Sequence, residues 1–360
     1  MMQLDWRVVE LRVPSAFSQR PATDSQAEAN LKRVATCTLG VLICFLAGAL
    51  AADPPEQPAD PVPLLRLRHD KPATGVAFLE GPRLVTACSD GSVRLWDGTD
   101  GRQLKRLIVD ADPGPGDGVR HLLSSKDRKA VIISTPDTLQ VWEASLSKRL
   151  WQFKREDPNP LFWQLALAPD GKTVAVPCLR EEILLFDFSS GALKRVFKRP
   201  GMIQTCTFSP DGKSLAGTYS DGKTVLWDVE KGVVAGTFGT PNGENMEDAV
   251  FLKDGKVLVA LSNDGVIRLW DVEKCVPLYA LRHVDAMTLH VVDHENFLSV
   301  DTRGIAVQWN VAKAARIRSI RVGEKQILAV AFSPDGRRVA IACESGDVNV
   351  FDCKALGIRP

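Results

Sequence analysis

From residue 64 onward the chain repeats one order of apolar and polar stretches. An apolar run is followed by a turn of the Ser-Pro-Asp-Gly kind, a second apolar run, a polar turn, and a short third run ending in an aromatic and then a polar residue. The third runs close at Trp96-Asp97, Trp142-Glu143, Phe186-Asp187, Trp227-Asp228, Trp270-Asp271, Trp309-Asn310 and Phe351-Asp352, spaced by 46, 44, 41, 43, 39 and 42 residues. A period of roughly 40–45 residues is that of a four-stranded blade in a closed ring of sheets. The sharpest turns are Phe208-Ser209-Pro210-Asp211-Gly212 and Phe332-Ser333-Pro334-Asp335-Gly336, with Ala168-Pro169-Asp170-Gly171 and Lys253-Asp254-Gly255 as variants. Proline presets the turn and glycine supplies positive φ, so each predicts a link between antiparallel strands.

These repeats resemble the WD-repeat β-propeller family over residues 64–353. The first repeat carries most of that family's signature. His69 stands nine residues before Phe78, Thr86 takes the usual Ser position, Asp90 opens the turn Asp90-Gly91-Ser92, and Trp96 ends the strand. The resemblance implies that His69, Thr86, Asp90 and Trp96 form a buried hydrogen-bonded tetrad that is structural, not catalytic. Asp221 and Asp264 hold the turn position in their repeats without a matching His. The sixth repeat has His283 and Ser299, but Arg303 stands where the Asp belongs.

The expected fold is all-β: a seven-bladed propeller of four-stranded antiparallel blades. The last repeat stops at Phe351-Asp352 with no outer strand, while Leu64-Leu65-Arg66-Leu67-Arg68 precedes the first repeat with no blade of its own. The N-terminal strand is therefore expected to complete the last blade and leave no open edge. Residues 64–360 would form the propeller, 53–63 a Pro-rich extended linker, and 1–33 a disordered or untranslated extension.

Lys32 and Arg33 precede an apolar run of 19 residues, Val34 to Ala52, followed by the acidic, Pro-rich Asp53-Pro54-Pro55-Glu56. Ala49 and Ala51 fit a signal-peptidase pattern, so residues 34–52 read as the apolar part of an export signal or as a transmembrane helix attaching the protein to a membrane. Either places the ring outside the cytoplasm, periplasmic or secreted.

Composition narrows the chemistry. Residues 1–52 hold five Lys/Arg and four Asp/Glu, and the remainder holds forty of each sign. That balance predicts no nucleic-acid partner, since such binding needs a basic surplus. Five His and two Tyr leave little material for acid–base catalysis. His283, His290, Asp293 and His294 are close in sequence, but the strand pattern separates them: His283 in the connection into the blade, His290 at the buried strand position of Val76, and His294 in the opposite turn. No metal site, cofactor or catalytic residue is expected. Cys88, Cys178 and Cys343 each stand eight residues before a strand-ending aromatic, which points to one packing role.

Function is expected to lie in binding. Long or Pro/Gly-rich connections run from Asp110 to Gly118, Glu156 to Pro160 and Gly239 to Glu247. Loops on a rigid scaffold commonly carry binding residues. Phe162 and Trp163 follow the second connection and are candidate aromatic anchors, with Asp110, Asp157, Asn159, Asn242 and Glu244 as polar contacts. The reading is a monomeric, non-catalytic scaffold for protein partners whose identity the repeats do not specify. One alternative is a propeller hydrolase or oxidoreductase with its site in the central channel. Another is an envelope-polymer binder using Arg102, Lys105, Arg106, Lys148, Arg149, Lys154, Arg155, Lys194, Arg195, Lys198 and Arg199 of the outer strands.

Overall fold

In the computed structural model, which describes residues 61–109, 118–156, 164–178, 180–240, 243–323 and 326–358, strands follow the rhythm of the repeats. The strand β1 spans Leu65–Arg68. Next come β2 Ala73–Phe78, β3 Arg83–Cys88, β4 Ser92–Asp97 and β5 Gln103–Ile108, then β6 His121–Ser124, β7 Ala130–Ser134, β8 Thr138–Glu143 and β9 Arg149–Lys154. The chain continues with β10 Ala166–Leu167, β11 Thr173–Cys178, β12 Arg180–Asp187, β13 Leu193–Phe208, β14 Ser214–Tyr219, β15 Lys223–Asp228 and β16 Val234–Gly239. It ends with β17 Met246–Leu252, β18 Val257–Ser262, β19 Val266–Asp271, β20 Val276–Arg282, β21 Ala286–Val291, β22 Asn296–Asp301, β23 Ile305–Asn310, β24 Ala315–Arg321, β25 Ile327–Phe332, β26 Arg338–Cys343 and β27 Asp347–Asp352. The predicted aromatic–polar pairs close β4, β8, β12, β15, β19, β23 and β27.

Five sheets have four strands each, and a sixth has seven, ordered β10 to β16. In that larger sheet β13 serves twice: its first part pairs with β12 and its second, from Ile203, with β14. The strand carries Pro200-Gly201 in its interior, ahead of the part paired with β14. All of these pairings are antiparallel. The second and third strands of each set are buried almost throughout because both faces are covered, as in β3, where only Arg83 is partly exposed. Outermost strands such as β5 and β9 alternate exposed and half-buried positions.

Local chemistry sets the hairpins. Gly212 takes φ of 72°, a left-handed conformation that side chains disfavour. Ser209 Oγ donates to Asp211 Oδ1 at 2.6 Å and accepts from the Ser214 N–H at 2.9 Å, closing the turn from inside. Ser333 and Asp335 repeat this arrangement.

Apolar side chains from successive sheets interdigitate. Seven clusters occur among the described residues, each shared by two consecutive repeats. One of them joins the chain ends: Leu67, Ala340, Ala342, Val348 and Val350 pack against Ala73, Val76, Phe78, Leu84 and Trp96. The strand β1 pairs antiparallel with β27, Leu65 opposite Val350 and Arg68 opposite Asp347. The same junction is held by Arg338 Nη1, which donates to the Gly98 carbonyl at 2.9 Å, and by the His69 N–H, which donates to the Gly346 carbonyl at 2.9 Å. Gly346 has no substitute here, because a Cβ would collide with the His69 carbonyl oxygen.

The 34–52 segment, the 1–33 extension and most of the 53–63 linker lie outside the described residues. Among those described, no helix is long and apolar enough to cross a membrane. Cys88, Cys178 and Cys343 end β3, β11 and β26, all buried, and the described cysteines form no disulfide.

Candidate partner-binding face and channel

The connections between repeats and the turns joining second to third strands lie together on one face. The backbone fixes this: Val109 N–H donates to the Gly91 carbonyl, Thr240 to Gly222, His283 to Gly265, and Val322 to Gly304. An acid in most of these turns accepts the N–H two residues on and turns its second oxygen to a cation. Asp90 Oδ1 accepts from the Ser92 N–H and Oγ at 2.9 and 2.6 Å, with Arg106 Nη2 3.4 Å from Oδ2. Similar pairs are Lys154 with Asp137, Arg155 with Glu182, Arg199 with Asp221, and Arg268 with Asp264. Of the eleven outer-strand cations singled out above, seven stand within 4.0 Å of a carboxylate, the others being Arg102, Lys194 and Lys198. The belt that an anionic polymer would need is thus largely neutralised locally.

Beneath this face lies a buried relay. Trp96 Nε1 donates to Thr86 Oγ1 at 2.8 Å, and that hydroxyl lies 2.7 Å from His69 Nε2. Burial pulls the His69 imidazole down to about 4, so the ring is neutral at physiological pH. Asp90, expected as the fourth member, bonds instead to its own turn and Arg106, and His69 Nδ1 has no hydrogen-bond partner among the described residues. A carboxylate gains more from a backbone N–H and a guanidinium than from a neutral imidazole N–H. In the sixth repeat Trp309 Nε1 and His283 Nδ1 both meet Ser299 Oγ at 2.7 Å. Here Asp301 approaches the imidazole, Oδ2 being 3.7 Å from His283 Nε2, and Arg303 Nε and Nη2 bond the same oxygen. The acid missing from the Arg303 position is thus supplied two residues earlier. Thr86→Val, which keeps shape and deletes the hydroxyl, is expected to destabilise the fold by about 2–3 kcal/mol, since two buried partners lose their bonds, whereas Thr86→Ser is nearly silent. Thermal melts of the two variants check this.

The innermost strands line a channel of about 600 Å³. His121, Gln164, Glu247, Asp248, Thr288 and His290 line it. Burial holds the His121 and His290 imidazoles down to about 4, the second also lowered by His121, so both are neutral. The Leu165 N–H donates to His121 Nδ1 at 3.1 Å, which fixes the proton on Nε2 and makes the ring a hydrogen-bond donor to the channel, not a base. Asp248 is buried, and its oxygens accept the Ala249 and Leu289 N–H groups at 2.8 Å each, tying β17 to β21. Burial nonetheless pushes its carboxyl up to about 7 and raises Glu247 as well. Titratable groups do converge at the channel, as an enzyme would require. However, His121 and Asp248 are committed to backbone partners.

Two positions depart from expectation. Leu289, opposite Ser299, takes the place of Val76, opposite Thr86, and His290 falls one residue later, opposite Leu298. The segment from His283 to its strand is one residue shorter than that from His69, which shifts the register. His290 therefore faces the channel beside Thr288 Oγ1 at 2.9 Å, apart from the relay of His283 and the turn of His294, whose carbonyl accepts the Lys253 N–H. Glu247 lies inside β17, not in the connection. Of the candidate partner-binding residues only Glu244 is described, half-buried in the 240–245 connection, where its carbonyl is 3.4 Å from Thr240 Oγ1. Phe162, Trp163, Asp110, Asp157, Asn159 and Asn242 lie outside the described residues. His121 and Asp301 were not singled out by sequence: a lone His has no spacing signal, and Asp301 sits off the repeat position.

Residues 62–97, 191–228, 238–271 and 316–352 match the family described as WD domain, G-beta repeat. The guanine nucleotide-binding protein subunit beta of Oryza sativa subsp. japonica is 25% identical over 238 residues, 62% of this chain and 52% of that protein. The U3 small nucleolar RNA-associated protein 21 homolog of Schizosaccharomyces pombe is 25% identical over 154 residues, 42% of this chain and 17% of that protein. The chain thus spans about half or less of these relatives' length. A chain in the crystal structure of a mitotic checkpoint complex superposes with a TM-score of 0.71 at 13% identity, covering 84% of this chain and 95% of that one. That likeness speaks to fold alone. With strand-ending aromatic pairs in every repeat, Trp–hydroxyl–His relays in two of them and four stretches matching the family, the chain belongs to the WD-repeat family and folds as an all-β propeller of antiparallel sheets.

Proposed function

We propose that the chain is a non-catalytic interaction scaffold: a seven-bladed ring, counting β13 in two blades, that binds protein partners through the face carrying its connections and turns. The observation that carries this reading is the commitment of polar groups. On that face turn acids and outer-strand cations are paired and hydrogen-bonded into a rigid surface. In the channel His121 and Asp248 are spent on backbone N–H groups, so neither is poised as a base or nucleophile.

Phe162 and Trp163 are the proposed anchors, with Glu244 and the polar residues of the long connections around them, and the aromatic pair rests on sequence alone. Export, or attachment through residues 34–52, belongs to the same proposal. The test is affinity capture from a native envelope extract by the full chain and by a Phe162→Ala, Trp163→Ala double variant of equal melting temperature. Protein partners lost in the variant are the expected result. Capture of no protein, with a small molecule copurifying instead, overturns the scaffold and moves the site to the channel.

A further inference from the structure

We infer that two copies of this chain associate edge to edge through β16. An outermost strand presents a row of unpaired backbone groups, and charge or proline along it normally prevents pairing with another chain. The other outermost strands carry that protection. Lys105 and Arg106 stand on β5, Arg149 and Lys154 on β9, four Lys/Arg on the outer part of β13, three Arg on β24, and Arg66 and Arg68 on β1. The strand β20 has Pro277 and Arg282. The strand β16, Val-Ala-Gly-Thr-Phe-Gly, has neither charge nor proline. It ends its sheet, and no described residue hydrogen-bonds its outward edge.

The surroundings suit close approach. Val233 and Val234 are 53% and 50% exposed, and Ala235 and Thr237 are exposed beside the small Gly236. The neighbouring sheet extends the apolar surface with Val276, Leu278 and Tyr279, which are 42%, 37% and 45% exposed. The two edges abut, since a Cβ on Gly236 would lie 2.8 Å from Cys275 Sγ. Charge selects a second copy as the occupant. Two copies meeting through the cationic edges would set like charges opposite one another, which is unfavourable. Through β16 they meet without any, and a formal net charge of +1 offers little long-range repulsion. The departure from the monomer expected above comes from this one unguarded edge.

Sedimentation velocity of the full chain between about 1 and 200 µM tests the inference, as a strand-pair interface predicts micromolar association. A concentration-dependent dimer is expected, with the dissociation constant rising at least tenfold in Ala235→Lys, Thr237→Lys and unchanged in Gln103→Lys on β5. Association through residues 34–52 would persist in the β16 variant, so persistence at wild-type strength overturns the inference, as does a wild type that stays monomeric. Amide exchange of the wild type needs no variant. Protection of 234–239 must rise with protein concentration, and exchange independent of concentration overturns the inference equally.

Discussion

Deleting residues 64–68 is expected to lower the melting temperature by about 10 °C or more, an effect of at least about 5 kcal/mol, although the segment is five residues at the margin of the ring. Three losses coincide. Leu67 is 2% exposed inside the cluster that joins the last sheet to the first, and a truncation to Ala there alone costs about 2–4 kcal/mol. The Arg68 carbonyl accepts from Arg94 Nη1 at 2.9 Å, and Arg94 is a buried cation whose remaining carboxylate, Asp70, lies 3.7 Å away and exposed. Removing that carbonyl strands a buried charge. Finally, β27 becomes an open edge, so the variant is also expected to aggregate. Scanning calorimetry against the full chain, with Leu67→Ala as the partial control, measures the effect. An unchanged melting temperature would falsify the view that β1 clasps the ring.

Much of this architecture was legible because it repeats. Seven aromatic–polar pairs with turns between them specify third strands whatever the local variation, and the unmatched Leu64–Arg68 run pointed to its partner by elimination. Features set by one repeat alone were less legible. A Pro-Gly pair usually breaks a strand, so β13 running through Pro200-Gly201 is a tertiary outcome, held by β12 on one side and β14 on the other. The fourth member of the relay depended on which donors compete for a carboxylate. Asp90 finds Ser92 and Arg106, while Asp301 finds Arg303 and His283 together. The channel was invisible in sequence because His121, Asp248 and His290 come from three separated strands and meet only after closure.

These buried groups set opposing pH effects against one another, and a net loss of about 2–3 kcal/mol from pH 7 to pH 5 is expected. His69, His121 and His290 titrate near 6.5 when unfolded and at about 4 when folded. Between those values the unfolded chain binds more protons, so stability is present at neutral pH and is lost as pH falls. Each imidazole withdraws about 2 kcal/mol by pH 5, less for His121 and His290 to the extent that channel water reaches them. Asp248 works in the opposite sense. Its folded carboxyl titrates at about 7, above the unfolded 3.8, so the folded chain holds the extra proton in that window and returns about 2 kcal/mol on the same acidification. Asp248→Asn separates the two. The amide keeps one carbonyl for one backbone N–H but sets an NH₂ against the other, so it is expected to cost about 1–3 kcal/mol at pH 7. With the opposing proton gone, its stability should then fall more steeply toward pH 5 than the wild type's. Urea unfolding midpoints at pH 7, 6 and 5 decide the matter. A wild type no less stable at pH 5, or a variant with the wild-type slope, would show that burial does not hold these protons where the structure places them.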